Sequence, residues 1–179
     1  ELFKGYHVSR RDPELYAQLS NFQDQYRTLF KALGFELVCD TRGFYYFVPD
    51  MAAAAVNKTA QRLALFTFIL VEHLADQGRD PIAVLDGGSL GREELPSLLE
   101  KYRDLFIQAE VQTVEELEEK IMRRMTQLGF AGEENGVYRF LPPMHRFLDV
   151  CLSVQQDRDL AASVHSVLPL PAPVLIDEA

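Results

Sequence analysis

Apolar residues recur at three- and four-residue steps from Val114 through Leu117, Ile121 and Met125 to Leu128. That spacing places them on one face of a helix. Gly129 follows and predicts the helix end, where a left-handed residue is needed. Phe130 to Gly132 reads as a short strand, and Asn135-Gly136 is a two-residue hairpin signal. Val137-Tyr138-Arg139-Phe140-Leu141 is then the return strand, closed by Pro142, which has no N–H for a ladder. The same punctuation occurs earlier. Phe22 to Leu33 predicts a helix with Phe22, Tyr26, Leu29, Phe30 and Leu33 on its inner face. Leu33-Gly34-Phe35 matches Leu128-Gly129-Phe130, and both return strands obey G-x-Y-x-F-x-P, over 43–49 and 136–142. The glycines are nine residues apart in one copy and seven in the other, so one strand pair is longer. An internal repeat of this kind is one supersecondary unit used twice. A helix entering a two-stranded hairpin after other short helices has the layout of a winged helix. The expected fold is therefore α+β, mainly helical, with two tandem winged-helix domains.

The other elements fill in around this repeat. Leu2 to Lys4 reads as the last turn of a helix, and Glu1 in place of an initiator methionine suggests that the first helix is trimmed. Tyr6 to Ser9 is a short strand. Asp12 caps a helix with Pro13 at its first position, running from Glu14 to Leu19, and Ser20 or Asn21 caps the next. The first wing turns at Thr41-Arg42-Gly43. Pro81 to Leu85 is read as the first strand of the second unit, Glu93 to Phe106 as a helix with Pro96 in its first turn, and Met144 to Gln155 as a C-terminal helix. These assignments divide the chain into a first winged helix (1–50), a linker (51–56), a second winged helix with a C-terminal helix (57–155) and a Pro-rich tail (156–179).

Lys58 to Asp76 departs from simple amphipathicity. Leu63, Phe66, Leu70 and Leu74 form one stripe, while Leu65, Phe68 and Ile69 form another. A helix apolar on most sides needs cover on most sides. Leu65, Phe68 and Ile69 are thus candidates for a dimer or domain interface. No apolar run reaches membrane-spanning length, the richest being Leu63 to Val71.

The net charge is −9, with 47% hydrophobic residues, enough for a core and unfavourable for nonspecific contact with nucleic acid or anionic membrane. Cys39 and Cys151 lie outside any metal or redox spacing, and Cys39 reads as a small buried hydrophobe. His7, His73, His145 and His165 do not recur as helical metal ligands, and no G-x-S-x-G or H-E-x-x-H motif occurs. Asp86-Gly87-Gly88-Ser89 lacks the G-K-[ST] of a phosphate loop and reads as a turn. No catalytic, metal or cofactor constellation emerges. Glu115, Glu116, Glu118 and Glu119 open the helix before the second wing, where negative charge suits the dipole, and Glu116–Lys120 and Glu119–Arg123 are oriented i,i+4 pairs. Glu133-Glu134 at the wing tip adds charge that phosphates would repel. Lys120, Arg123 and Arg124 form the exception, a basic patch of candidate DNA contacts on the later half of the helix.

The stretch Gly5 to Pro49, with its helix from Phe22-Gln23 and its wing ending in Gly43-Phe44-Tyr45-Tyr46-Phe47-Val48-Pro49, resembles the MukE family, and within it the MksE branch of MukBEF-like bacterial condensins. The second Leu128-Gly129-Phe130 wing fits as well. The resemblance implies a cytoplasmic, nucleoid-associated homodimer of tandem winged-helix subunits that binds a kleisin. The kleisin would link it to an SMC-type ATPase acting on chromosomal or plasmid DNA. DNA would be met within the assembled complex and weakly by the chain alone. Arg124, then Lys120 and Arg123, are the positions carried over as DNA contacts. The alternative is a free-standing winged-helix transcriptional regulator, which requires a basic recognition helix and wing.

Overall fold

The computed structural model describes residues 1–48 and 58–149. It is a mixed helical and sheet structure with two small antiparallel sheets. The linker, the tail, Cys151 and the later part of the predicted C-terminal helix lie outside the described residues.

In the N-terminal half a 3-10 turn (Leu2–Lys4) leads to β1 (Val8–Ser9), α1 (Pro13–Asn21), α2 (Gln23–Ala32), β2 (Glu36–Asp40) and β3 (Phe44–Val48). β3 is central, paired with β1 through Val8↔Tyr45 and with β2 through Glu36↔Val48 to Asp40↔Phe44. Asp12 occupies the predicted cap position of α1, but its carboxylate serves the preceding turn instead. It accepts the Tyr6 hydroxyl at 2.8 Å and the Ser9 N–H at 3.1 Å. Ser20 and Asn21 do not cap α2. α1 continues through them and the chain kinks at Phe22 (φ −125°, ψ 35°). The kink leaves a small, aromatic core of Val8, Leu19, Leu37 and Tyr45, against which Tyr26 and Phe30 are packed. The rest of the predicted inner face of α2, namely Phe22, Leu29 and Leu33, is exposed. A narrow three-stranded sheet covers only one stripe of a helix.

The second half begins with α3 (Lys58–Asp76), followed by α4 (Pro81–Leu85), β4 (Ser89–Gly91), a 3-10 turn (Arg92–Glu94), α5 (Leu95–Lys101) and α6 (Arg103–Gln108). Two sequence expectations are corrected here. Pro81–Leu85 is a helix, because the Asp80 carboxylate accepts the Ile82 N–H at 2.9 Å and proline suits the first turn. The strand comes later, as β4. The helix expected over 93–106 is broken at Tyr102 (φ −111°, ψ 29°), whose hydroxyl, with the Lys101 ammonium, is held by Asp76 at the end of α3.

α7 (Val114–Leu117), a π turn (Glu118–Met122) and α8 (Arg123–Gln127) form one rod. Thr113 caps it by accepting the Glu116 N–H, while Glu116 accepts the Gln112 N–H. The wider π turn brings Met122 into the core beside Leu117, Ile121 and Met125. β5 (Ala131–Glu134) and β6 (Val137–Phe140) then form the hairpin, shifted one residue past the expected start so that Phe130 is a buried corner residue. Asn135 (φ 54°) and Gly136 (φ 77°) both adopt the left-handed geometry that this hairpin turn requires. β6 is central, between β4 and β5. The core of this half is large and gathers α3, α5, the rod and the sheet around Phe66, Phe106, Phe140 and Leu117. A 3-10 turn (Pro142–Met144) and helical residues 145–149 close the described chain.

α3 accounts for its excess apolar surface largely within this core. Ile69 is fully buried beside Phe66 and Leu70, while Leu65 is half-buried and Phe68 is 43% exposed. Of the predicted interface trio, Ile69 is thus covered by the chain itself. Cys39 is half-buried against the first core.

Candidate functional site

The two halves meet where the strand leading into β1 crosses the corner Leu128-Gly129-Phe130. The His7 N–H donates to the Leu128 carbonyl at 2.9 Å, and His7 Nδ1 meets the same oxygen at 3.1 Å. A carbonyl only accepts, so Nδ1 carries the proton and Nε2 is free to accept from Arg146 Nη1. The His7 ring packs against Phe130 at 4.4 Å and stacks on Tyr46. Arg146 lies over the Tyr46 ring, 3.9 Å from its centroid. Phe130 also packs against Phe147, and Arg42, in the turn between β2 and β3, pairs with Asp149.

This joint is buried at its centre, at His7 and Phe130. Burial, and then the neighbouring Arg146 charge, push the His7 pKa down from 6.5 to about 4, so the ring is neutral at physiological pH. Burial also lowers the Arg146 pKa from its ordinary value. Tyr6, half-buried and bonded to Asp12, is raised to about 12, chiefly by burial. Gly129 (φ 78°) is indispensable to the crossing. A Cβ there would fall 2.5 Å from the His7 carbonyl oxygen. A Cβ on Gly132 would overlap the Arg11 guanidinium, which lies across the start of β5. Sequence reasoning treated His7 only as a histidine without a ligand spacing and did not find the joint. Its signal is a contact between residues more than a hundred positions apart, invisible to any local pattern.

The second candidate surface is the charged face of the rod. Glu116 pairs with Lys120, whose ammonium also donates to the Glu110 carbonyl at 2.7 Å. The Glu116 carboxyl is held below its ordinary pKa, first by Lys120 and then by the Gln112 N–H. Arg123 lies 3.8 Å from Glu119, both exposed. Arg124 donates to the Gln127 side chain at 2.9 Å and, among the described residues, has no carboxylate partner. Glu118 is taken by Arg92 at 2.6 Å. Glu110, in a left-handed conformation (φ 59°), collects Lys58 and Arg62. The groove between the rod and the β5–β6 hairpin is lined by Glu115, Glu118, Glu119 and Glu133 against Arg92 and Arg123, an acidic balance. The structure thus brings Lys120, Arg123 and Arg124 onto one rod but commits the first of them to internal pairing.

Among the described residues no group of three or more His, Cys, Asp or Glu side chains is placed to hold a metal ion, and no helix is long and apolar enough to cross a membrane. Gly87 and Gly88 form a turn, with the Gly88 N–H on the Val84 carbonyl at 2.7 Å.

Comparison with known proteins gives one result that bears on the whole arrangement. The family model for the condensin complex protein MksE matches residues 1–152, a span that includes both sheets, the joint and the rod. No curated protein matches the chain.

Proposed function

We propose that the chain, which belongs to the condensin complex protein MksE family, is a non-enzymatic accessory subunit of a bacterial SMC complex, binding a kleisin and through it an SMC-type ATPase. The observation that carries this reading is the repeated helix–corner–hairpin unit, fused at a buried joint into one body with open sheet edges and exposed apolar side chains. Such a body presents surfaces for other chains. Each half is read as a winged helix, 1–50 and 57–155, supported by a sheet in which the last strand lies between the first strand and its own hairpin partner. A homodimer is proposed from apolar residues left uncovered: Phe68 with half-buried Leu65 on α3, and Phe22 at the start of α2 with Leu29 on it. Light scattering at micromolar concentration is expected to return twice 20.4 kDa.

DNA is proposed to be met only within the assembly, in chromosome organisation or plasmid defence at the nucleoid. Lys120, Arg123 and Arg124 would serve there, with Arg124 the least committed to internal pairing. The acidic rod–wing groove and the charge of −9 oppose a free-standing DNA-reading regulator. Affinity purification from the native cell tests the reading. A kleisin and an SMC-type ATPase are expected in stoichiometric amounts, and recovery of the chain with neither overturns it.

A further inference from the structure

The internal repeat presents the same corner twice, in two different states. At Leu128-Gly129-Phe130 the corner is covered: Phe130 is 3% exposed, Gly129 is buried, the His7 N–H bonds the Leu128 carbonyl, and Arg11 lies on the following strand. At Leu33-Gly34-Phe35 the main chain is bare, although the Phe35 ring packs on Phe3 and Phe47. Leu33 is 57% and Phe35 38% exposed, and nothing among the described residues lies within 4 Å of a Cβ built on Gly34. The backbone is the same at both corners, with Gly34 at φ 82° and Gly129 at φ 78°. The cover on the second corner is Tyr6-His7, running from the left-handed turn at Gly5 into β1 and laid across the glycine with the His7 main chain. That segment is already engaged, so it cannot cover the first corner as well.

The bare corner opens onto a groove of about 660 Å³, bounded by Gly34, Phe35 and β2 on one side and by Arg27 and Lys31 of α2 on the other. β2 is an edge strand, so alternate residues direct unpaired N–H and C=O groups into the open side. Arg27 and Lys31 are exposed and take part in no ion pair among the described residues. Glu36 lines the same groove and is the acidic group there. On a chain of net charge −9, two free cations beside a bare strand edge and a bare glycine corner select for an acidic segment.

We infer that the Leu33-Gly34-Phe35 corner and the free edge of β2 receive an extended, acidic segment of a protein partner. The segment crosses Gly34 as Gly5 to His7 crosses Gly129, and continues along β2 by strand addition. Its main chain supplies hydrogen bonds to the edge, its acidic side chains meet Arg27 and Lys31, and Gly34 is required because the backbone approaches so closely. This rests on the reading given above, in which the partner is the kleisin.

The experiment measures binding of the purified kleisin subunit to the full chain by calorimetry, with hydrogen exchange on the free and bound protein. Gly34→Asn tests the corner, because asparagine tolerates the left-handed backbone and open space surrounds the site, so folding is preserved. R27E/K31E tests the charge on an exposed helix face. Arg103→Glu, exposed on α6, is the control. At least tenfold weaker binding is expected for Gly34→Asn and for R27E/K31E but not for Arg103→Glu, with slowed exchange over residues 33–38 in the wild-type complex. Wild-type binding with unchanged affinity in both variants, and no protection over 33–38, overturns the docking site while leaving the kleisin reading intact. No binding by the wild type overturns both. Protection, already present in the isolated chain, of the outward N–H groups of β2 that pairing with β3 leaves unbonded assigns the groove to a segment of the chain itself and overturns the partner.

Discussion

Lowering the pH should weaken the fold through His7. In the folded chain the ring is 5% exposed, donates to the Leu128 carbonyl through Nδ1, and accepts from Arg146 through Nε2. Protonation removes the acceptor and sets two cations in contact inside a site lined by Phe130, Phe44 and Tyr46. The folded pKa of about 4 lies below the unfolded 6.5, so the unfolded chain binds the proton first. The stabilising effect of the neutral ring is complete above about pH 6.5 and is lost as the pH falls through that value toward 4. At 1.36 kcal/mol per pH unit the full loss is about 3 kcal/mol. The assay is urea unfolding at pH 7.5, 6.5, 5.5 and 4.5 for the wild type and His7→Gln. The difference between the two isolates this ring from carboxylates that titrate in both. Wild-type stability should fall more steeply below pH 6.5, by about 2 kcal/mol more than the variant at pH 4.5. Parallel curves would show that His7 is solvated or charged in the folded state, and the account of the joint would be wrong.

The two corner glycines should respond differently to alanine. Gly34→Ala meets only the left-handed backbone penalty of about 1 kcal/mol, whereas Gly129→Ala adds a clash with the His7 carbonyl and should cost at least twice as much by thermal or urea unfolding. Phe140→Ala, at the centre of the second core, should cost about 4 kcal/mol in the same assay. R123E/R124E should change stability by less than about 0.5 kcal/mol, since both side chains are exposed, yet weaken DNA binding by the assembled complex and flatten its dependence on salt in a titration series. Removing residues 168–179, which lie outside the described fold, should leave the unfolding midpoint unchanged.

The repeat was legible because its signals are local. A glycine after a 3.6-residue apolar period, an Asn-Gly pair and a proline after an alternating strand each act within a few residues, and the hairpins, the rod and both corners stand where those signals lie. Where local signals competed, the sequence misled. Pro81 to Leu85 is apolar enough for a strand, but the Asp80 cap and proline at the first turn favour a helix, and only the presence of β4 to fill the sheet makes the choice visible. The extent of burial was beyond local reading for a different reason. Phe22, Leu29 and Leu33 share the period of Leu117, Ile121 and Met125, yet the first set is exposed and the second enclosed, because the first sheet has a single small core and the second has α3 across it. Likewise the two L-G-F corners are nearly identical as text. Which one is covered depends on where the Gly5 to His7 segment lands, more than a hundred residues away in the chain, and that is decided by the packing of the two halves against each other. Sequence determined the turns, the periods and the repeated unit; tertiary structure decided which apolar faces were enclosed, that His7 and Arg146 meet, and which corner remained open.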